Sequence, residues 1–181
     1  STMPPPLTDP VNENGEQFSS AFRTLPHNIE AEKSLIGAIF SNNRAYEKVS
    51  EFLFPEHFVI AQHGVIYDAC SKLIEKGQIA DPVTLKRYFE QDESLAEIGG
   101  PAYLTTLINN VPTSLHAEAY GRLVEQTATR RRMIEAANKI AKIAYQEDIT
   151  VDTALDQAEK AVFGVSEHRL STDLQPIQKV L

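Results

Sequence analysis

Apolar residues recur every three or four positions along most of this chain, which is the spacing that places them on one face of an α-helix. No stretch alternates apolar and polar residues for long enough to predict a β-strand. The sequence therefore predicts an all-α fold that begins with a compact multi-helix head over residues 25–112. The helices predicted in this head cover about 28–41, 44–53, 61–76 and 82–91, with one more after Gly99-Gly100.

Start and stop signals support these helices. Asn28 is a good N-cap, and Glu30 and Glu32 follow in the first turn, where the helix dipole favours carboxylates. Asp81-Pro82 combines an N-cap with proline at the first helical position, and Gly77 can end the third helix with a positive φ. The inward-facing positions predicted for the third and fourth helices are Val65, Ile66, Ala69, Leu73, Ile74, Val83, Leu85, Tyr88 and Phe89.

A different pattern follows in residues 113–165. Residues 113–146 contain no proline and form a predicted helix of about 50 Å, longer than a domain of this size needs for its own core. Asp148-Ile149-Thr150 then turns the chain into a second helix over 151–165, which gives a protruding antiparallel hairpin. Two helices alone cannot bury both apolar stripes, so we expect a self-association surface. Its predicted residues are Tyr120, Leu123, Val124, Ile134, Ala137, Ala141, Leu155 and Val162.

The two ends of the chain read differently from the helical regions. Residues 1–24 are rich in Pro, Asn and Gly and poor in large apolar side chains, which predicts a disordered tail. Residues 166–172 are polar and predict a linker. A new amphipathic helix is predicted to start at Asp173, with Leu174, Ile177 and Leu181 on one face.

Charge limits the partners that this chain can bind directly. The net charge is −8, of which residues 26–114 carry −5, so a sequence-independent grip on DNA is not expected. The one dense basic run is Arg130-Arg131-Arg132, which spreads around a helix. A solvated face paired with Glu135 and Glu125, a partner or subunit contact, and a direct nucleic-acid contact all remain open for it.

Candidate chemical groups are few. His57 and His63, near Asp68, lack the spacing of a metal site, and capping or packing roles are favoured. The single cysteine, Cys70, sits among apolar residues and predicts a buried structural thiol. We therefore assign no catalytic, cofactor-binding or metal residue. The lone cysteine and the lack of a signal peptide or membrane-length apolar run favour a cytoplasmic protein.

Several short motifs occur in a distinctive order. They are Leu25-Pro26-His27-Asn28-Ile29-Glu30-Ala31-Glu32, Phe54-Pro55-Glu56-His57-Phe58, His63-Gly64-Val65-Ile66-Tyr67, Asp81-Pro82-Val83-Thr84-Leu85, Gly99-Gly100-Pro101-Ala102-Tyr103-Leu104 and Val111-Pro112-Thr113-Ser114. Their order and spacing resemble the N-terminal domain of bacterial replicative DNA helicases, the DnaB family. One departure is His116, at a place where the family usually has Asn.

The resemblance implies an assembly and docking role. In this family the hairpins of neighbouring subunits pack together, paired subunits form a hexameric ring as a trimer of dimers, and primase binds this tier. A linker helix, here Leu174, Ile177 and Leu181, docks on the neighbouring motor domain. ATP, Mg and DNA are bound by that motor domain, and a helicase loader is a further partner to consider.

The motor's phosphate-binding motif, G-x-x-x-x-G-K-[ST], does not occur in these residues, so no ATP hydrolysis is expected from them. Two alternatives stay open from the sequence. One is a stand-alone helical adaptor or helicase-loader-type interaction protein. The other is a small α-helical enzyme that uses His57, His63 or Cys70.

Overall fold

A computed structural model describes residues 24–91, 96–109 and 114–180 of the chain, with side chains described for 24–90, 96–109 and 115–169. Throughout these ranges the regular structure is helical, which confirms the predicted all-α class. The predicted tail over residues 1–24 lies outside the described residues except for Thr24. None of the described helices combines the length and the apolar character that a membrane span requires.

Seven α-helices are found in the described ranges: α1 (Ile29–Ser41), α2 (Arg44–Glu47), α3 (Ala61–Glu75), α4 (Pro82–Gln91), α5 (Gly100–Asn109), α6 (Ala117–Tyr145) and α7 (Val151–Val180). Short 3₁₀ turns at Pro55–His57 and Ser114–His116 precede α3 and α6. Helix α1 is central to the head, where it packs against α3, α5 and the first half of α6. Its side chains Leu35, Ile36 and Ile39 are completely buried.

The predicted start and stop signals are confirmed. The Ala31 amide donates to the Asn28 side chain at 2.9 Å, which caps α1. At the start of α4 the Thr84 amide donates to Asp81 Oδ1, and the Asp81 amide donates to Thr84 Oγ1, each at 2.9 Å. Gly77 follows α3 with φ of +75°, a conformation that costs glycine little.

The predicted helix over 44–53 is wrong in length, because α2 ends at Glu47 and residues 48–52 form successive turns. These turns bring Val49 and Phe52 against α6 at Gly121, where a Cβ atom would lie only 2.6 Å from Val49 Cγ1. Packing against α6 therefore ends α2 earlier than the local spacing of apolar residues predicts.

Two inward-facing predictions are also wrong. Val65 on α3 is exposed, and Val83 on α4 is 69% exposed. Each lies in a helix whose other predicted positions are buried or half-buried, such as Ile66 and Leu85. Both valines stand at the edge of their apolar stripe, where no neighbouring element covers them.

The hairpin is formed by α6 and α7, which pack along each other. The turn between them is capped as predicted, because the Thr153 amide donates to Thr150 Oγ1 at 3.1 Å. The predicted linker over 166–172 is wrong, since α7 runs without interruption from Val151 to Val180. No proline or glycine occurs in 166–172, and Arg169 is held by an ion pair to Glu125 of α6. The side chains of Leu174, Ile177 and Leu181 lie outside the described residues.

Candidate protein-interaction surface

Helix α6 changes environment along its length of 29 residues, about 44 Å. Ala117, Gly121, Val124 and Ala128 are buried near its start, where α6 packs on the head. Past Thr129 the one α6 residue that is buried is Ile143, and α7 packs along α6. The distal hairpin is therefore a two-helix layer with one apolar interface and two open sides.

Large apolar side chains remain exposed along this layer, as the sequence predicts. Leu155, Val162 and Phe163 on α7 are 56%, 55% and 63% exposed. Monomeric proteins rarely present many such residues on one element, so a contiguous group of them indicates an interaction surface. The other large apolar side chains exposed on the hairpin are Leu123, Met133, Ile134, Tyr145 and Val151.

Two of the grooves between the helices of the hairpin have mainly apolar linings. The larger has a volume of about 700 Å³ and is lined by Ile140, Leu155, Val162 and Phe163 among others. A smaller one of about 340 Å³ includes Met133, with Ile140 and Val162 again in its lining. Such grooves between ridges of side chains are where a further helix can pack.

The residues predicted for self-association fall into two groups. Leu123, Ile134, Ala137, Ala141, Leu155 and Val162 are exposed on the hairpin. Val124, in contrast, is completely buried in the core of the head, and Tyr120 is half-buried against that core. These two side chains therefore hold α6 on the head and cannot form the exposed surface.

Arg131 has a structural role that sequence reasoning missed. Its guanidinium donates to the carbonyl oxygens of Pro26 and His57, both at 2.8 Å. Burial lowers the pKa of Arg131. The contacts tie the middle of α6 to the loops that precede α1 and α3. Its neighbours differ, since Arg130 is exposed and Arg132 is half-buried.

Glu125 joins the two hairpin helices close to the head. Its carboxylate is buried and accepts hydrogen bonds from Arg169 Nε at 2.9 Å and from Thr129 Oγ1 at 3.1 Å. The Arg169 guanidinium makes a second bond through Nη2 at 3.3 Å. No local signal marks this pair, because its members are 44 residues apart.

A buried polar cluster in the head was also missed. The Glu32 carboxylate lies 2.8 Å from His63 Nδ1 and accepts from the Val59 amide at 2.7 Å. His63 Nε2 is hydrogen-bonded to the Tyr103 hydroxyl. Glu32 and His63 are almost fully buried, and burial, reinforced by Glu32, raises the pKa of Tyr103. The cluster links α1, α3 and α5. Glu32 and His63 are enclosed, and Tyr103 is the member of the cluster that reaches an open groove.

The remaining chemical candidates also have structural roles. The Phe54 amide donates to His57 Nδ1 at 2.9 Å, which confirms a capping role, and burial lowers the pKa of His57. Cys70 is completely buried as predicted, and burial raises the pKa of its thiol, which disfavours the thiolate that nucleophilic chemistry needs. Among the described residues no group of three or more His, Cys, Asp or Glu is placed to hold a metal ion.

His116 stands at the position where the family usually has Asn. His116 is exposed and directly precedes α6, and its side chain does not cap the helix. Its ring instead lies edge-on to Tyr120, with the ring centroids 6.4 Å apart. The His116 side chain therefore makes an aromatic contact at the position from which a side chain could cap α6.

Comparisons with known proteins agree with this architecture. The replicative DNA helicase DnaB of Geobacillus stearothermophilus is 36% identical over 166 residues, 92% of this chain and 36% of the helicase. DnaB of Rickettsia prowazekii is 40% identical over 160 residues, 87% of this chain and 33% of that protein. The chain thus spans about a third of the length of these helicases.

Solved structures have the same fold. The crystal structure of the N-terminal domain of DnaB helicase from Mycobacterium tuberculosis covers 78% of this chain, and 99% of that domain is matched, with a TM-score of 0.72 and 31% identity. The family model described as the DnaB-like helicase N terminal domain matches residues 24–126. This chain therefore belongs to the DnaB-like helicase N-terminal domain family.

Proposed function

We propose that this chain is the oligomerisation and primase-docking domain of a hexameric replicative helicase that unwinds duplex DNA during chromosome replication. The observation that carries the proposal is the exposed apolar face of the hairpin, on α6 and α7. ATP and Mg would be bound by a motor domain outside these residues, and DNA would be contacted through that motor. The setting we propose is the cytoplasm.

Self-association is the first part of the proposal. Leu155, Val162 and Phe163 line or border a groove of about 700 Å³ that a helix of a second copy can fill. Because a twofold contact uses the same patch on both partners, one exposed apolar face is sufficient to form a dimer. In the whole protein, three such dimers would complete the ring.

Primase docking is the second part. A DnaB-like replicative helicase, whose structure is described together with its interactions with primase, has this fold with a TM-score of 0.63 and 24% identity. We place the corresponding surface at the junction of head and hairpin. Arg130 and Arg132 lie in this region, and Arg130 is exposed there. A helicase loader is a further candidate partner. Holding primase on the ring would raise its effective concentration near the emerging single strand.

Light scattering over a concentration series tests the self-association. Val162→Asp places a charge in the apolar groove, so the variant is expected to be monomeric where the parent chain is dimeric. Val83→Asp is the matched control, because Val83 is at least as exposed but lies on the head. A Val162→Asp variant that keeps its helical circular dichroism and the molar mass of the parent would overturn the proposal.

Primase binding has its own readout. Arg130→Glu and Arg132→Glu are expected to weaken association with purified primase, measured by titration, without changing the molar mass of the helicase domain. If both variants bind primase like the parent chain while hairpin variants do not, the docking surface lies elsewhere on the hairpin.

A further inference from the structure

Another open groove lies on the head, away from the hairpin. It has a volume of about 780 Å³ and runs between the end of α3 and the first turns of α4. Helix α4 packs mainly on α3 and α5, so this groove is separate from the surface proposed for self-association. Its lining includes Leu73, Lys76, Ile79, Thr84, Arg87 and Tyr88.

The groove presents apolar surface to solvent. Ile79, in the segment between α3 and α4, is 66% exposed. Leu73 and the half-buried Tyr88 continue the apolar lining toward the core. A single exposed isoleucine is ordinary, but Ile79 together with Leu73 and Tyr88 in the lining of one groove forms a patch that a bulky side chain can cover.

Positive charge is concentrated at the same place. Four of the seven Lys and Arg residues of 26–114 occur within 72–87, where only two acidic residues accompany them. One of the four, Lys72, is paired with Asp68. In the part of the chain that the structure describes, neither Lys76 nor Arg87 forms an ion pair. The groove therefore has a local charge opposite to that of the acidic head.

We propose that this groove binds an acidic segment of another polypeptide that carries a bulky apolar side chain. Its carboxylates would pair with Lys76 and Arg87, and its apolar side chain would cover Ile79 and Leu73. The apolar lining favours a polypeptide over a nucleic-acid backbone, which offers charge alone and is repelled by the rest of the head. This proposal does not depend on the helicase function proposed above.

Fluorescence anisotropy with a short labelled peptide of alternating aspartate and leucine tests the groove on the full chain. Reversing both charges, in the double variant Lys76→Glu and Arg87→Glu, is expected to weaken binding by about tenfold, the effect of two surface ion pairs. Ile79→Ser is expected to weaken it several-fold. Lys48→Glu, an exposed charge reversal outside the groove lining, is the matched control. Amide chemical shifts should change over residues 73–88.

Four results would overturn the proposal. Peptide binding that is unchanged by the double charge reversal would place the binding site elsewhere. Absence of peptide binding would show that the groove is not a binding site. Oligothymidylate that binds and responds to the same variants would identify a nucleic-acid site instead. Tighter peptide binding after Asp9→Asn, Glu13→Gln and Glu16→Gln would identify the chain's own N-terminal segment as the occupant.

Discussion

Arg169 of α7 forms an ion pair with Glu125 of α6, with 2.9 Å between Nε and Oε1. The Glu125 carboxylate is buried while the Arg169 side chain is half-exposed. Arg169 lies in the part of α7 for which the sequence predicts a linker. The ion pair therefore holds this part of α7 against α6 close to the head.

Removing this contact should loosen the end of α7. In Arg169→Ala the buried Glu125 carboxylate loses its cation, so we expect a loss of about 1 kcal/mol in stability and faster hydrogen exchange over residues 160–169. Hydrogen–deuterium exchange followed by mass spectrometry measures the effect. Lys160→Ala is the control, because its ion pair with Asp156 is exposed and should contribute little. Equal exchange in both variants would mean that Arg169 does not hold α7.

Local signals were sufficient for much of the fold, because the groups that decide them are adjacent in the chain. The caps at Asn28, Asp81 and Thr150 each involve residues three positions apart. The exposed hairpin face was predictable for a similar reason. Helix α6 is long and its apolar residues recur regularly, so its apolar stripe is larger than one partner helix can bury.

The missed features all depend on long-range contacts. Glu32 was predicted as a favourable charge at the start of α1, yet its buried partner His63 is 31 residues away. Arg131 contacts the Pro26 carbonyl across 105 residues. Periodicity also cannot tell which edge of a stripe is covered, so Val83 was wrongly placed inside and Val124 wrongly placed on the surface. Only the tertiary packing decides these positions.

Gly121 offers a direct test of the close approach between α6 and the turns after α2. A Cβ atom there would lie 2.6 Å from Val49 Cγ1 and 3.3 Å from Phe52 Cζ, both in buried side chains. Gly121→Ala should therefore lower the free energy of unfolding by about 1–3 kcal/mol, even though alanine is the better helix former. Urea denaturation measures the change.

Gly164 on α7 is the matched control for this substitution. Nothing lies within 4 Å of a Cβ atom built at that helical position. Gly164→Ala should consequently raise the free energy of unfolding by up to about 1 kcal/mol. Two alanine substitutions with the same sign of effect would contradict the packing described for Gly121.

Stability should fall in alkaline solution because of buried tyrosines. Burial, reinforced by Glu75, raises the pKa of Tyr46 from 10.0 to about 12, and burial also raises the pKa of Tyr67. Above about pH 10 the unfolded chain releases phenolic protons that the folded chain keeps, so unfolding becomes easier as the pH rises. For Tyr46 this decline ends near its folded pKa.

Tyr46→Phe isolates this contribution. At neutral pH the variant lacks the hydrogen bond that the Tyr46 hydroxyl donates to Glu75 at 3.0 Å, which should lower its stability by about 1 kcal/mol. Between about pH 10 and 12 the difference should shrink and then change sign, at up to about 1.4 kcal/mol per pH unit, because phenylalanine has no proton to lose. Chemical denaturation at several pH values measures it. A difference that stays constant would show that Tyr46 does not keep its proton in the folded chain.

A substitution of Arg131 tests whether the basic run Arg130-Arg131-Arg132 has a structural role or binds a partner. Its guanidinium reaches two carbonyl oxygens at once, those of Pro26 and His57, and a lysine ammonium cannot reproduce that planar geometry. Arg131→Lys should therefore cost about 1–2 kcal/mol in thermal unfolding although the charge is kept. Arg130→Lys, at an exposed position, should stay within about 0.5 kcal/mol of the parent. If Arg131→Lys is as stable as the parent chain, these contacts do not hold the hairpin to the head, and Arg131 joins Arg130 as a candidate contact for a partner.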